Sequence, residues 1–312
     1  MEVLFSIVLP IFALIGVGWL ARYRGWMGEA GAFEMNRFVV YLGMPALLFQ
    51  IMAKSSWKQL DQPGFIAAFG LASGAVYALT VAVSRMRGGQ LADASLEGLN
   101  AAYANVGFIG FPLALAAFGP SSMMPATITS ILTVCVLFGI AVTVVELGVS
   151  EGGGIGRILK KVSWSLAQNP MLLAPVLGAL YAGFAPPLPA GADRFLSLLA
   201  HAASPCALVS LGLFIADQRG RPHLPALSAQ VALKLFAQPL LTWALAVYVF
   251  HLSPAITGLA VVLAALPTGT GPFMLAQMYK REAGGIAGSI LVSTVLSIVT
   301  ISVLVNWFRT TA

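Results

Sequence analysis

Long apolar runs separated by short polar stretches dominate the pattern of this chain. Ten runs of about 18 to 25 mostly apolar residues lie near positions 3–21, 33–53, 64–84, 95–118, 123–147, 164–184, 192–216, 226–250, 254–279 and 284–308. A strand that spans lipid would alternate apolar and polar positions over about ten residues, whereas the run from Ile128 to Val145 is apolar on every face. The pattern therefore predicts an all-α integral membrane protein with ten transmembrane helices.

Charged side chains are too few for a water-soluble protein of this length. The 312 residues include 17 Lys and Arg and 11 Asp and Glu, 59% of the residues are hydrophobic, and the mean hydropathy is +0.90. Soluble domains carry about 25% charged residues, so the composition excludes a soluble enzyme, and the scattered basic residues do not form a nucleic-acid surface. The chain has no HExxH, GxSxG or Walker A motif, and Cys135 and Cys206 lie apart in apolar runs. We predict no enzyme, no cofactor and no metal site.

The distribution of basic residues between the spans predicts the orientation. With the N-terminus outside, the odd-numbered connections carry twelve basic residues, whereas the even connections and the C-terminus carry four. Basic residues concentrate in cytoplasmic loops, so both termini are predicted outside a multi-pass protein of the inner (plasma) membrane, with the linker Gly148–Lys161 in the cytoplasm. The twelve are Arg22, Arg24, Arg37, Arg85, Arg87, Arg157, Lys160, Lys161, Arg219, Arg221, Lys280 and Arg281, and the four are Lys54, Lys58, Arg194 and Arg309.

The two halves of the chain share proline positions at a shift of 160 residues. The matching pairs are Pro10 with Pro170, Pro45 with Pro205, Pro112 with Pro272, and also Gly18 with Gly178. A repeat of five spans is odd in number, so the second copy must be inverted relative to the first. We predict a first repeat at 1–147, a linker at 148–163 and a second repeat at 164–312. Inverted repeats are common in secondary transporters, although an old duplication without mechanistic meaning would leave the same trace.

Helix-breaking residues mark the fourth and ninth spans at membrane depth. The fourth holds Asn105, Gly107, Gly110 and Pro112, and the ninth holds Pro267, Thr268, Gly269, Thr270, Gly271 and Pro272. Proline removes a backbone donor and glycine lets the chain leave helical geometry. The freed backbone groups and half-helix N-termini would suit an anion such as a carboxylate. We predict substrate binding there, with a proline kink that only aids packing as the alternative.

Lys234 is the one basic residue that falls well inside a predicted span. A charge near the bilayer centre costs several kcal/mol, which makes it a candidate functional residue. It could face the cavity and pair with an anionic substrate, stand in for a coupling cation, or titrate during proton coupling. It also lies about 12 Å from the cytoplasmic end of its helix, so its amine could instead reach the interface by snorkelling. We include it among the substrate-binding candidates.

Five short motifs, in order along nearly the whole chain, resemble those of the auxin efflux carrier (PIN-like) family. They are Leu9-Pro10 with Gly16 and Gly18, Asn36 and Tyr41 before Pro45-Ala46-Leu47-Leu48-Phe49, Asn105-x-Gly107-Phe108-x-Gly110-x-Pro112, Asn169-Pro170 with Gly178, and Leu266-Pro267-x-Gly269. The resemblance implies crossing broken helices 4 and 9, scaffold helices 1, 2, 6 and 7, and core helices 3–5 and 8–10, as in bile-acid symporters. The short linker differs from the long loop of the large plant carriers and favours the bacterial branch.

The leading hypothesis is a secondary active transporter that moves a small organic anion by alternating access. The substrate would be a carboxylate such as malonate or malate, or an auxin-like acid. A sodium-coupled organic-anion symporter of the bile-acid type is the alternative, although the core spans have almost no carboxylates. A second alternative is a non-transport membrane protein, either an intramembrane enzyme or a receptor. Proton or sodium coupling and a homodimer are both left open, and no nucleic-acid partner is expected.

Overall fold

The computed structural model describes residues 9–54, 61–149, 170–184, 187–217 and 224–311, together with Gly156, Trp164 and Gln168. Most of the predicted linker, including Gly153, lies outside the described residues. The described chain forms twelve helices, which we label α1 (Leu9–Tyr23), α2 (Glu29–Ala53), α3 (Pro63–Met86), α4 (Leu91–Ala102), α5 (Val106–Phe118), α6 (Pro120–Val149), α7 (Pro170–Phe184), α8 (Ala190–Asp217), α9 (224–249), α10 (Pro254–Ala264), α11 (Gly271–Met278) and α12 (Gly284–Thr311).

Six of the described helices are long and apolar enough to cross a membrane. They are α2, α3, α6, α8, α9 and α12, and four shorter apolar helices lie in α1, α5, α7 and α10. The chain is therefore an all-α, multi-pass membrane protein, as its sequence predicts. An 11-residue helix such as α10 rises only about 16 Å at 1.5 Å per residue, which is less than the hydrocarbon core of about 30 Å. The full count of ten spans and their inverted topology stay predictions.

Three prolines within helices each follow a π-helical turn by two residues. The turns Val39–Gly43, Val106–Gly110 and Leu233–Ala237 precede Pro45, Pro112 and Pro239, and each proline stands in the first turn of the α-helical segment that follows. A proline lacks an N–H and its ring clashes with the carbonyl four residues earlier. The wider π turn accommodates both defects, so these helices continue through the proline.

This geometry corrects the predicted position of the break in the fourth span. Gly107, Gly110 and Pro112 lie within helix α5, and the chain leaves helical geometry earlier, at residues 103–105. The physical reason is that the π-helical turn Val106–Gly110 accommodates the ring and the missing N–H of Pro112, so the helix does not break there. The ninth span does break within its predicted segment, because residues 265–270 separate α10 from α11.

The described chain divides into two compact units. The first contains the described residues within 1–63, 107–128 and 168–217. In it α1 packs along α8, and α7 packs along α2, while α2 also contacts α8. The second contains those within 64–106, 129–167 and 218–312. In that unit α4 packs against α6 and α11, and α10 packs against α9 and α12. The predicted repeat boundaries and the division into scaffold and core helices stay predictions.

Glycines allow close helix contacts at repeat-related positions of the first unit. Gly18 lies against the backbone of Val209, and a Cβ on Gly178 would lie 2.6 Å from the carbonyl oxygen of Phe49. Gly178 and Val209 stand 160 residues after Gly18 and Phe49 respectively, so the two contacts exchange equivalent partners. A Cβ on Gly43 would lie 3.0 Å from the Cβ of Ala203, its own counterpart at the same shift.

Candidate functional site

The two non-helical segments 103–105 and 265–270 are joined by backbone hydrogen bonds. Ala104 and Thr268 form an isolated antiparallel β-bridge. The amide of Asn105 donates to the carbonyl of Pro267 at 2.9 Å, and the amide of Gly269 donates to the carbonyl of Tyr103 at 3.0 Å. We call these paired segments the bridge. It satisfies backbone groups that would otherwise be unpaired at membrane depth.

Two glycines in the ninth span make room for the ring of Tyr103. A Cβ on Gly269 would lie 3.0 Å from the ring, and a Cβ on Gly271 would lie 2.6 Å from its Cζ atom. Phe138 meets the same ring edge-on, with the two centroids 6.2 Å apart. Close packing at the bridge therefore requires glycine at positions 269 and 271. The sequence alone indicated only that these two glycines break the helix.

Thr268 joins the bridge to two neighbouring helices. Its hydroxyl donates to the carbonyl of Asn100 at 3.1 Å, near the C-terminal end of α4. Its backbone amide donates to the hydroxyl of Ser293 on α12 at 3.1 Å. Both Thr268 and Ser293 are buried. The side chain therefore serves as a cap for α4, because the last carbonyls of a helix have no donor within it.

Lys234 reaches the end of the other interrupted helix. Its side chain is wholly buried, and its Nζ donates to the carbonyl of Ala264, the last helical residue of α10, at 2.6 Å. The amine is therefore held inside the protein by a backbone carbonyl. Its predicted part in substrate binding stays a prediction.

Polar residues recur every four positions along α9, a pattern that the sequence analysis missed apart from Lys234. Gln230, Lys234, Gln238 and Thr242 share one face, and the last three are wholly buried. The amide Nε2 of Gln238 donates to the hydroxyl of Ser73 on α3 at 2.9 Å. A spacing of four in an otherwise apolar span is typical of a face that turns toward other helices, so the pattern itself could have revealed this face.

Gln230 links the bridge region to a polar cavity of about 630 Å³. The Oε1 atom of Gln230 accepts from the Nδ2 of Asn100 at 2.5 Å and from the hydroxyl of Ser289 at 3.2 Å. Other cavity residues are Gln90, Asp93, Glu97, Lys280, Arg281 and Glu282. Of these, Arg281 forms an ion pair with Asp93 at 3.4 Å. Asn100 thus contacts Gln230 of this cavity through its side chain and Thr268 through its backbone carbonyl.

The remaining predicted site residues divide between the two units. Asn105 is buried, and its backbone amide belongs to the bridge. Thr270 is half-buried and its carbonyl accepts from Met274 at the start of α11, where Pro272 holds the second position. Gly107, Gly110 and Pro112 belong to the first unit. Among the described residues, no cluster of three His, Cys, Asp or Glu side chains could hold a metal ion.

Comparison with known proteins supplies the family. The sequence model described as "Membrane transport protein" matches residues 3–149 and 154–305. A Rhizobium meliloti (strain 1021) protein named "Putative malonate transporter" is 32% identical over 316 residues, covering 98% of this chain and 96% of the relative. Two more distant relatives are named "Uncharacterized transporter". The protein of Methanothermobacter thermautotrophicus is 25% identical, and the match covers 94% of this chain and 95% of the relative. YfdV of Escherichia coli (strain K12) is 24% identical, and the match covers 94% of this chain and 94% of the relative.

Proposed function

The chain belongs to the membrane transport protein family, the auxin efflux carrier-like transporters that its motifs resemble, and from that premise we propose that it is a secondary active transporter for a small organic anion. It moves the anion across the plasma membrane by alternating access, with both termini on the outer side. The observation that carries the proposal is the bridge, where two interrupted helices meet through backbone hydrogen bonds. Interrupted helices at membrane depth are the usual place of a substrate site in such transporters.

Side chains around the bridge support an anionic substrate. Residues 98–118 and 254–278 contain no Asp or Glu, so a carboxylate substrate meets no like charge from these segments. The buried ammonium of Lys234 contributes a positive potential at the end of α10. Asn105, Thr268 and Thr270, with Pro267, Gly269, Gly271 and Pro272 shaping the backbone, are the proposed ligands and frame of the site, because amide and hydroxyl groups hydrogen-bond a carboxylate. Gly107, Gly110 and Pro112 stay predictions.

The substrate class is proposed from the relative named for malonate. That protein matches nearly the full length of this chain, and malonate or malate is a small dicarboxylate whose two charged groups need several donors at once. A carboxylate of this size is the first substrate to test, with an auxin-like acid as the comparison. Because the acid is charged at neutral pH, it requires a carrier to cross the hydrocarbon core.

The ten-span inverted repeat forms part of the same proposal. Its support is the pair of exchanged contacts in the first unit, Gly18 with Val209 and Gly178 with Phe49. Two copies related by an approximate two-fold axis would produce this exchange, and a residue on the axis would meet its own counterpart, as Gly43 meets Ala203. An axis in the membrane plane is the arrangement of inverted-topology transporters.

Uptake into proteoliposomes tests the function. Wild-type protein is expected to accumulate radiolabelled malonate or malate, and Asn105→Ala is expected to lose at least about tenfold in initial rate, since one lost charge-assisted hydrogen bond is worth about 1.5–3 kcal/mol. Asn306→Ala, which changes an exposed asparagine on α12, is the matched control and should transport normally. Absence of uptake for every mono- and dicarboxylate tried with well-folded wild-type protein would contradict the proposal.

A further inference from the structure

The sequence leaves the C-terminal end of α10 without its normal backbone donors. In a continuous helix the carbonyl of Leu263 would accept from residue 267, but that residue is Pro267, which has no N–H. The carbonyl of Ala264 would accept from Thr268, but the Thr268 amide donates to Ser293 instead. The end of α10 therefore presents carbonyl oxygens in the protein interior, where an unpaired polar group is costly.

An ammonium group meets this helix end. Lys234 Nζ donates to the Ala264 carbonyl at 2.6 Å, and the side chain is wholly buried. A helix C-terminus carries partial negative charge and stabilises cations, and in transporters the C-terminal ends of interrupted helices coordinate coupling cations. Among the described residues Lys234 forms no ion pair with a carboxylate, so the helix end is the counterpart of its charge.

Buried carboxamide oxygens of the same unit are also available as cation ligands. Gln238 stands one turn after Lys234 on the inward face of α9, and its Oε1 atom accepts no hydrogen bond within the described part of the chain. The Oδ1 atom of the wholly buried Asn100 is in the same situation. Amide and carbonyl oxygens are the ligands that hard monovalent cations prefer.

We propose that the ammonium of Lys234 is a built-in cation that occupies the position at the end of α10 where a free sodium ion would otherwise bind. One consequence rests on the proposed function: the transport cycle needs no sodium. The other consequence is independent of transport, because removing the amine should create a site for a monovalent cation at the carbonyl oxygens that end α10.

Thermal unfolding of the purified protein in sodium chloride and in choline chloride tests the proposal without a transport substrate. Wild-type protein should have the same Tm in both salts. Lys234→Gln should lower the Tm in choline chloride, and increasing sodium should then restore it saturably, by roughly 2–4 °C. Lys234→Ala should respond in the same way, and a small alkylammonium ion should replace sodium in that variant, because it refills the space left by the side chain.

Gln238→Ala is the matched control, since it removes a buried polar side chain from the same face and keeps the ammonium. It should lose stability equally in both salts.

The proposal is overturned if the Tm of the wild type is higher in sodium chloride than in choline chloride, or if the Tm of folded Lys234→Gln does not respond to sodium. Sodium-independent uptake by the wild type would add support, whereas sodium-dependent uptake would overturn the transport consequence. Failure to find any transported substrate would contradict the proposed function and leave the salt comparison decisive for Lys234.

Discussion

Replacing Thr268 with valine removes one hydroxyl from the bridge and nearly keeps the shape of the side chain. In the native structure this hydroxyl donates to the carbonyl of Asn100 at 3.1 Å. The amide of Ala104 would donate to that carbonyl in a continuous helix, but Ala104 lies in the bridge, outside the helix. The substitution therefore leaves the Asn100 carbonyl without its donor in a buried place, because Thr268 is only 1% exposed.

The expected cost follows from that geometry. A lost hydrogen bond that leaves a buried acceptor unsatisfied costs about 1–3 kcal/mol, while polar contacts between membrane helices average about 0.6 kcal/mol. We therefore expect a loss of about 1–2 kcal/mol in the free energy of unfolding. For a protein of this size that corresponds to a decrease in Tm of about 2–8 °C. Transport should also decrease, because the cap fixes the bridge against α4.

Thermal unfolding in detergent, followed by tryptophan fluorescence, measures the effect against a control with the same chemistry. In Thr242→Val the lost hydroxyl also comes from a wholly buried threonine, but it donates to the carbonyl of Gln238 within its own helix at 2.8 Å. That carbonyl keeps a helical N–H partner. The Thr242→Val variant should therefore lose less than about 0.5 kcal/mol in the free energy of unfolding. Equal decreases in Tm for the two variants would refute the cap as the source of the stability.

Two further predictions concern packing and topology. Gly178→Ala should lower the Tm clearly, since the new Cβ would lie 2.6 Å from a carbonyl oxygen of the neighbouring helix. The control Gly16→Ala has open space around it and should be neutral or slightly stabilising. Equal effects of the two substitutions on the Tm would argue against the close helix contact. A single cysteine at Gly153, in a variant without Cys135 and Cys206, should react with a membrane-impermeant maleimide only after the cells are opened. Labelling in intact cells would reverse the predicted orientation.

The amino-acid sequence alone determined the class of this protein and the approximate positions of its six long apolar helices. Few charges and long apolar runs leave the bilayer as the only solvent in which the chain can bury its backbone, and this conclusion needs no contact between distant residues. The motifs from Leu9 to Gly269 also sufficed to place the chain in its family, which the family match confirms. The break at residues 265–270 was visible for the same reason, since two prolines and two glycines within six residues act locally.

The position of the other break required the tertiary structure. The glycines at 107 and 110 and Pro112 have the composition of a break, yet they lie in a helix, and residues 103–105 open instead. The residues at 103–105 have little local tendency to break a helix, because Tyr103 and Ala104 can both be helical. The decisive interaction is the pairing with Pro267 and Gly269, which lie more than 160 residues away in sequence and therefore cannot be found from a local pattern.

The partner of Lys234 was beyond the sequence for the same reason. A lysine within an apolar span indicates that its charge must be compensated, but it does not say whether the compensating group is a substrate, the interface or another part of the chain. The fold places the carbonyl of Ala264 at 2.6 Å from the amine, a contact that no local pattern indicates. Sequence fixes which groups must find partners in a medium without water, while tertiary packing alone decides which partners are within reach.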